Sequence, residues 1–354
     1  MKEPMRIMIA SLPIGTGHDV AARALAEAMG RAGVEVYFSH HLAGPSRVHT
    51  ASYFLSVRYA PWLFSKMFRW GDQARFAWQR HRSRWRQIGL RVLQNVFEQY
   101  RPDWVVATHP FALTAWTALK TLYPRLKVVG VLTDLSAHQF WWEPDADAYA
   151  VWLPEEREDL VQFGYPEDKI WDTGIPIRAS FHDDALQFAR LFDGPIVVLG
   201  GGLGIGPYHQ ILKELLAFEV PVLAVCGQNE RLRWQLSQRS WPANVTIAGY
   251  VENMPEVLCA SRAVVGKPGG VTAAEVCQVQ VPWLLTHWIA GQEEINRDRL
   301  TSHNLAALGD HGLQAALAPL LVDSPMRRQM LSSQAQLARP NASRDIVNRI
   351  LAFQ

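Results

Sequence analysis

The chain has few cysteines, no long apolar run and little net charge, and each scarcity excludes a class of protein. Its 354 residues include only three cysteines, Cys226, Cys259 and Cys277, which lie far apart without metal-ligand spacing. A disulfide framework or a zinc site is therefore not expected, and a reducing compartment fits best. The longest uncharged stretch, 194–212, carries five glycines between 200 and 206, which is not the composition of a membrane-spanning helix. No signal peptide is predicted, because the first apolar stretch is too short.

Net charge is small but unevenly distributed. The whole chain carries a formal charge of only +2. Residues 58–101 hold ten basic residues against Asp72 and Glu98, a local charge of 10 − 2 = +8 that leaves −6 on the remainder. With 49% hydrophobic and 19% charged residues the chain is globular, and its overall balance gives no indication that it binds nucleic acid.

Short apolar runs alternate with helical patterns, which is typical of βαβ units. The fold class predicted is α/β, with two Rossmann-like domains whose parallel sheets face a central cleft. The domains are predicted at 1–174, with a basic aromatic insertion at 45–101, and at 175–340, followed by a C-terminal helix at 341–354. Strands are predicted at 6–11, 34–39, 104–108, 128–133, 147–153, 195–199, 220–226, 245–248, 263–266 and 283–286. Ligands of such sheets bind beyond the carboxyl ends of the strands, so the cleft is the expected site.

Two glycine loops each follow a predicted strand and open a helix. The first is Gly15-Thr16-Gly17-His18, and the second spans 200–207 with five glycines in its first seven residues. Neither has the GxGxxG spacing, which counts against a nicotinamide dehydrogenase. Glycines allow a ligand to approach the main chain closely, although the first loop alone is equally compatible with a tight turn that binds nothing.

The most specific motif is Gly-Lys-Pro-Gly-Gly-Val-Thr-Ala-Ala-Glu at 266–275. A strand ends there in a Pro-Gly-Gly turn and a helix begins, so its first amides can hold a diphosphate. Glu275 follows one turn later, where a carboxylate can accept both hydroxyls of a ribose. Gln292 and Glu293 offer donors and acceptors that suit sugar hydroxyls. A capped helix with solvated acids explains any one of these residues, but explains the whole string poorly.

In these motifs the sequence resembles the GT-B glycosyltransferases that use UDP-sugars. Within them it is similar to the monogalactosyldiacylglycerol synthase and processive diacylglycerol glucosyltransferase group. The resemblance covers nearly the whole chain and includes 108–111, Thr133-Asp134, 174–178, 226–229 and 249–254. Two positions depart from the group's pattern: Asp19 follows His18 where a basic residue is usual, and Leu203 stands where a glutamate is usual.

The resemblance implies an inverting transfer of galactose or glucose from UDP-galactose or UDP-glucose to diacylglycerol or a related lipid, with no cofactor and no metal. Uracil would lie near the main chain of Val251, the ribose on Glu275, and the hexose on Gln292 and Glu293. The implied donor-binding residues are Gly202, Gly204, Gln228, Val251, Gly269, Gly270, Val271, Thr272, Glu275, Gln292 and Glu293. The acceptor side would include Gly17, His109 and Trp141.

His18 is the leading candidate for the base that removes the acceptor's hydroxyl proton, because it lies on a glycine loop at the mouth of the cleft. If His18 only caps or orients, Asp134 or His109 handles the proton instead. Asp145-x-Asp147 has the spelling of a metal motif, but it follows a turn-forming proline in the acceptor half, and a solvated turn is the preferred interpretation.

Two other functions stay open at this point. A UDP-sugar 2-epimerase would share the two-domain form and the nucleotide site, but would need no lipid-facing basic segment. A non-catalytic module of the same fold would bind a nucleotide sugar or a membrane without turnover.

The basic segment at 53–86 mixes aromatic and basic residues, as interfacial membrane anchors do. For 88–100 an amphipathic helix packed on the domain is the preferred interpretation. The expected location is therefore the cytoplasmic face of a membrane, held peripherally on anionic lipid. The residues assigned to this surface are Trp62, Phe64, Arg80 and Arg84, and the segment also contains Trp85, Arg82 and Arg86.

Overall fold

The computed structural model describes residues 5–12, 16–39, 41–42, 75–182, 193–309 and 312–353, and of 75–81 and 182 it describes the backbone alone. These ranges form two six-stranded parallel sheets flanked by helices. The predicted α/β class with two Rossmann-like sheets is therefore confirmed.

The first sheet has the strand order β2-β1-β3-β4-β5-β6. Its strands are β1 (Arg6–Ala10), β2 (Glu35–Ser39), β3 (Trp104–Ala107), β4 (Lys127–Val131), β5 (Ala148–Val151) and β6 (Ile170–Asp172). Its helices are α1 (Gly17–Arg31), α2 (Arg75–Tyr100), α3 (Pro110–Ala118) and α4 (Pro154–Gln162). Every residue of β3 and β5 is buried, since helices cover both faces of a parallel sheet.

The second sheet has the order β12-β11-β10-β7-β8-β9. Its strands are β7 (Ile196–Leu199), β8 (Val222–Val225), β9 (Val245–Ala248), β10 (Ala263–Gly266), β11 (Trp283–Leu285) and β12 (Ala307–Leu308). The helices that follow are α5 (Tyr208–Leu215), α6 (Glu230–Ser237), α7 (Met254–Ala260), α8 (Gly270–Val279), α9 (Gln292–Ser302), α10 (Leu313–Leu317), α11 (Pro325–Leu337) and α12 (Ala342–Ala352).

The strand orders fix where a ligand can enter. In the first sheet the chain leaves β1 toward β2 on one side and later adds β3 on the other. In the second sheet β7 and β10 hold the corresponding central positions. Loops diverge at such switch points and leave a crevice at the carboxyl ends of the strands. The glycine loops after β1, β7 and β10 all stand at these positions.

The C-terminal helix returns to the first domain. Ile346, Val347 and Ile350 of α12 are buried in the same cluster as Ile7 and Ile9 of β1. The last helix therefore adds to the hydrophobic core of the N-terminal domain, although it follows the second sheet in sequence.

Helix α2 corrects part of the membrane-anchor hypothesis. Trp85 is fully buried and stacks on Phe111 of α3, with ring centroids 4.8 Å apart. Arg82 donates from Nε and Nη2 to the buried carboxylate of Glu143 at 3.0 and 2.7 Å, and Arg86 Nη1 donates to it at 3.1 Å. The prediction that residues up to 86 form a lipid-facing surface is therefore wrong for Trp85, Arg82 and Arg86, because each of them packs against its own domain.

Arg84, by contrast, is exposed on this helix, as the anchor hypothesis requires. Trp62 and Phe64 lie outside the described residues, and Arg80 is described through its backbone alone. None of the helices in the described ranges has both the length and the apolar character needed to cross a membrane.

Candidate active site

A cavity of about 200 Å³ lies between the two domains where the switch points meet. The loops after β1, β4, β7 and β10 contribute to its wall, together with the first turns of α1, α8 and α9. The sequence-predicted site residues that line it are Gly17, His18, Asp134, Gly202, Val251, Gly269, Gly270, Val271, Thr272, Glu275, Gln292 and Glu293. Residues that lie up to 276 positions apart, 293 − 17, are thus brought to one place.

His18 is held in a defined orientation. Its Nδ1 lies 2.7 Å from the carbonyl oxygen of Thr108 and 2.7 Å from Oγ1 of Thr133. A carbonyl oxygen can only accept, so the Nδ1 that faces it carries the proton. The lone pair of the neutral ring is then on Nε2. Since His18 lines the cavity, its Nε2 stays a candidate for the general base.

His109 has a structural task. Its Nδ1 accepts a hydrogen bond of 3.2 Å from the N–H of Phe111 and so caps α3. Its ring meets that of His18 edge-on, with centroids 4.7 Å apart. Burial, and secondarily the charge of His18, hold the pKa of His109 well below its usual range. His109 is not among the lining residues of the cavity.

Asp134 follows β4 and faces the cavity beside His18. Burial raises its pKa above the ordinary value of 3.8, although the charge of His18 and a hydrogen bond from Asn296 oppose that shift. The bond runs from Asn296 Nδ2 to Asp134 Oδ1 at 3.3 Å. Both candidate bases, His18 and Asp134, are therefore present at the same end of the cavity.

The glycines permit the two domains to touch. A methyl group placed on Gly202 would lie 2.3 Å from Thr16 Oγ1, and one on Gly270 would lie 2.1 Å from the carbonyl oxygen of Thr133. Both partners belong to the first domain, and heavy atoms do not approach so closely. Only glycine fits at these two positions without moving the domains apart.

Helix α8 presents free amides to the cavity. Gly269 caps its start, and the first helical bond runs from the N–H of Ala273 to the carbonyl oxygen of Gly269 at 2.8 Å. The N–H groups of Gly270, Val271 and Thr272 precede that bond and so have no acceptor within the helix. Such amides, together with the positive end of the helix dipole, are a favourable place for an anion.

Lys267 places a positive charge between the two glycine loops of the second domain. A methyl group on Gly201 would lie 3.5 Å from its Nζ, and one on Gly269 would lie 3.7 Å away. The ammonium forms an ion pair with Glu293, whose second oxygen accepts a 2.8 Å bond from the N–H of Ile289. This arrangement suits an anion that lies on the two glycine loops beside Lys267, while Glu293 faces the group attached to that anion.

Glu275 is buried and paired with Arg178. Arg178 Nη2 lies 3.3 Å from Glu275 Oε1, and Arg178 Nη1 donates to the carbonyl oxygen of Glu252 at 2.9 Å. Burial raises the pKa of Glu275 to about 7, even though Arg178 acts in the opposite direction. The carboxyl therefore titrates far closer to neutral pH than an ordinary glutamate, at the wall of the cavity.

Besides His109, four predicted residues of the described ranges do not line the cavity. Gly204 adopts φ +55° and packs against the carbonyl of Cys226, and Gln228 is exposed beside it. Trp141 is only 2% exposed and belongs to the core of the first domain, so it offers no surface to an acceptor. Arg84 lies on α2, outside the cavity.

Asp145 and Asp147 are ion-paired residues of the first domain. Asp145 lies 2.8 Å from Arg86 Nη1, and Asp147 lies 2.7 Å from Lys120 and 3.1 Å from Lys127. The interpretation as a solvated turn is therefore wrong for Asp147, which is buried.

Three residues of the site were missed as functional candidates. Arg178 and Lys267 stand inside the motifs 174–178 and 266–275, and Asn296 lies three residues after Glu293, yet no role was assigned to them. Their partners are 97, 26 and 162 positions away in sequence, so no local pattern could reveal the contacts.

Comparisons with known proteins agree with this geometry. The family described as monogalactosyldiacylglycerol (MGDG) synthase matches residues 18–177. A processive diacylglycerol beta-glucosyltransferase of Bacillus mycoides is 26% identical, over 99% of this chain and 94% of the relative. The glycotransferase of kitacinnamycin superimposes with a TM-score of 0.66 at 15% identity, covering 99% of each chain.

A second kind of enzyme shares the fold. The UDP-GlcNAc 2-epimerase of Neisseria meningitidis, bound to UDP-GlcNAc, superimposes with a TM-score of 0.64 at 12% identity, over 98% of this chain and 100% of the epimerase. At such identity the superpositions establish the fold alone. The sequence matches distinguish the two classes, and they favour the transferases. The predicted resemblance, the GT-B fold and the assignment to the glycosyltransferases are confirmed.

Proposed function

We propose that this GT-B glycosyltransferase moves a hexose from a UDP-sugar, UDP-glucose or UDP-galactose, to diacylglycerol or a related lipid, with inversion at the anomeric carbon. The observation that carries the proposal is the cavity itself, at which His18, with its Nδ1 on the Thr108 carbonyl oxygen, lies together with the glycine loops that follow β7 and β10. Full-length similarity to a processive diacylglycerol beta-glucosyltransferase supports the lipid acceptor.

The donor would bind across the second domain. Its diphosphate would lie on the amides at the start of α8 and beside the Lys267 ammonium, which offset the charge that develops as UDP leaves. The ribose hydroxyls would donate to Glu275, and the uracil would meet the main chain of Val251. The hexose would contact Gln292 and Glu293, which stand at the first turn of α9.

The acceptor hydroxyl would approach from the first domain. Nε2 of His18 would take its proton as the oxygen attacks the anomeric carbon from the face opposite UDP. The Nδ1 proton stays hydrogen-bonded to the Thr108 carbonyl oxygen. A second proton that arrives on Nε2 therefore produces an imidazolium ion. Asp134, whose pKa the charge of His18 lowers, would stabilise that ion in a role secondary to His18.

We place the enzyme peripherally on the cytoplasmic face of an anionic membrane, where a lipid acceptor is available. The exposed arginines of α2 support this placement, and each basic residue near an anionic surface contributes about 1 kcal/mol. Arg84 and Arg91 are the exposed ones within the side chains described for this helix.

The test is UDP release from UDP-glucose and UDP-galactose with and without diacylglycerol in mixed micelles. Release that depends on the lipid supports the proposal. Inversion at C2 of the free donor would identify an epimerase, and tight donor binding without turnover would identify a non-catalytic module.

A further inference from the structure

Helix α9 joins the donor site to the first domain. Its first turn supplies Gln292 and Glu293 to the cavity. Further along, Arg299 Nη2 donates to Asp159 Oδ2 at 2.8 Å, and His303 Nε2 lies 2.7 Å from Glu155 Oε1. Asn296 and Arg299 are three residues apart and therefore share a face of the helix, the one that packs on the first domain.

Asn296 stands at the centre of this face and is fully buried. Its Oδ1 accepts a 3.0 Å bond from the N–H of Leu135, which fixes the orientation of the amide. Its Nδ2 then donates to Asp134 Oδ1 at 3.3 Å and to the carbonyl oxygen of Pro268 at 3.1 Å. Both amide hydrogens and the amide oxygen are thus used, and the partners come from both domains.

The partners of Asn296 have different places in the site. Asp134 stands beside the candidate base His18, whereas Pro268 belongs to the loop that leads into the anion-binding start of α8. One side chain therefore sets the distance between the carboxylate of the acceptor side and the loop of the donor side. An amide is the only group of this size that can donate to both while it accepts from Leu135.

We propose that Asn296 is a positioning residue for the transfer reaction: it holds Asp134 in register with the donor loop when the domains are closed. The proposal depends on the proposed function at one point, because it requires that Asp134 takes part in the transfer reaction. The charged groups that face Asp134 are His18 on α1, Lys267 before α8 and Glu293 on α9. Asn296 is the neutral donor among them.

Asn296→Asp provides a sharp test, because it keeps an oxygen for Leu135 and replaces the donating NH₂ with an acceptor that opposes Asp134. The carboxyl carbon of Asp134, assigned by comparison with Asp134→Asn, is titrated by ¹³C NMR. We expect its pKa to rise by about one unit or more in Asn296→Asp. Turnover at neutral pH should fall about tenfold or more, with the KM for the UDP-sugar nearly unchanged and the acidic limb of the pH profile moved upward.

The matched control is Asn244→Asp. Asn244 also lies in the second domain and donates from Nδ2 to a backbone carbonyl, that of Val220, at 2.8 Å. It should leave the Asp134 titration and the pH profile as in the wild type. Asn296→Ala, which removes the donor without adding charge, should shift the titration less and serves if Asn296→Asp does not fold.

The proposal is overturned if Asp134 titrates alike in wild type and both Asn296 variants. It is also overturned if Asp134 shifts while turnover and its pH profile do not change. If the Asp134 titration shifts but the wild type transfers no sugar, the result supports the bridge from Asp134 to Pro268 and rejects the proposed function. The two failures can therefore be distinguished.

Discussion

The Nδ1 atom of His18 lies 2.7 Å from the backbone carbonyl oxygen of Thr108, a residue 90 positions further along the chain. The contact joins the helix after β1 to the end of β3, the two strands at the switch point of the first sheet. It fixes the tautomer of the ring and directs the basic nitrogen away from the backbone. The local geometry therefore leaves Nε2 as the nitrogen that can accept a proton, as the proposed role of His18 requires.

His18→Ala should retain the fold and UDP binding and lose turnover by a factor on the order of 10²–10⁴, because the base is gone while the donor site is intact. His18→Gln should be similarly slow, since its amide keeps polarity but is not basic. Steady-state kinetics together with calorimetric UDP titration make the measurement. If Asp134→Ala shows this loss and His18→Ala does not, the two roles must be exchanged.

Donor binding should depend on pH through Glu275. Burial raises the pKa of this carboxyl to about 7, so its ionised fraction grows as pH rises through that value. The ionised form accepts ribose hydroxyls better, so UDP affinity should increase between pH 6 and pH 8. Glu275→Ala should weaken UDP binding about ten- to a hundredfold and remove the pH dependence. The control is Glu256→Gln, because Glu256 is exposed. An unchanged UDP titration in Glu275→Ala would reject the assignment of the ribose to Glu275.

Stability should depend on pH through Glu156, which is buried at the start of α4. Its Oε2 accepts a 2.9 Å bond from the N–H of Trp152, and burial raises its pKa from 4.5 to about 8. A raised folded-state pKa contributes stability that is present below pH 4.5 and is lost as pH rises through about 8. Glu156→Gln keeps the acceptor and cannot ionise. Its melting temperature should therefore fall less than that of the wild type between pH 5 and pH 9, and parallel curves would contradict the prediction.

Domain contact should fail in Gly270→Ala. The added methyl group would lie 2.1 Å from the Thr133 carbonyl oxygen, so the two domains must separate to admit it. Turnover should fall about tenfold or more, whereas the melting temperature of each domain should change little. Gly30→Ala in α1 is the matched control, because nothing lies within 4 Å of that position. It should keep full activity and stabilise the helix by roughly 0.5–1 kcal/mol.

Membrane binding should depend on the exposed arginines of α2 and not on the paired ones. Arg84→Glu with Arg91→Glu should reduce sedimentation with phosphatidylglycerol vesicles in a salt-dependent manner and leave the melting temperature unchanged. Arg82→Glu should instead destabilise the fold by about 3–5 kcal/mol, because it removes both hydrogen bonds from Arg82 to the buried Glu143, leaves Arg86 as its only arginine partner and adds a like charge. Equal sedimentation of wild type and the double variant would show that this surface is not the anchor.

The regular strands could be predicted well because each is a short apolar run between turns. Val245–Ala248 and Ala263–Gly266 have the predicted bounds, and most other strands differ by one or two residues. The strands Ile170–Asp172 and Ala307–Leu308 were missed, since three or two residues show no periodicity. Pairing with β5 and β11 alone makes them strands.

The place of a residue at the cavity could be predicted where chemistry and loop position coincide, as at His18, Gly270 and Glu275. It could not be predicted where a partner decides the role. Trp85 lies in a segment with the composition of an interfacial anchor, yet in the fold its ring stacks on Phe111. Asn296 is one polar residue among several on α9, and only the approach of Asp134 and Pro268 distinguishes it.

The most direct test of the account is the structure of the lipid product formed from ¹³C-labelled UDP-glucose or UDP-galactose and diacylglycerol, determined by NMR of its anomeric centre. The account predicts a single new hexosyl linkage to the lipid hydroxyl in the β configuration, formed by wild type and abolished in His18→Ala. An α-linked product would contradict inversion, and a free C2-epimeric donor with no labelled lipid would contradict glycosyl transfer itself.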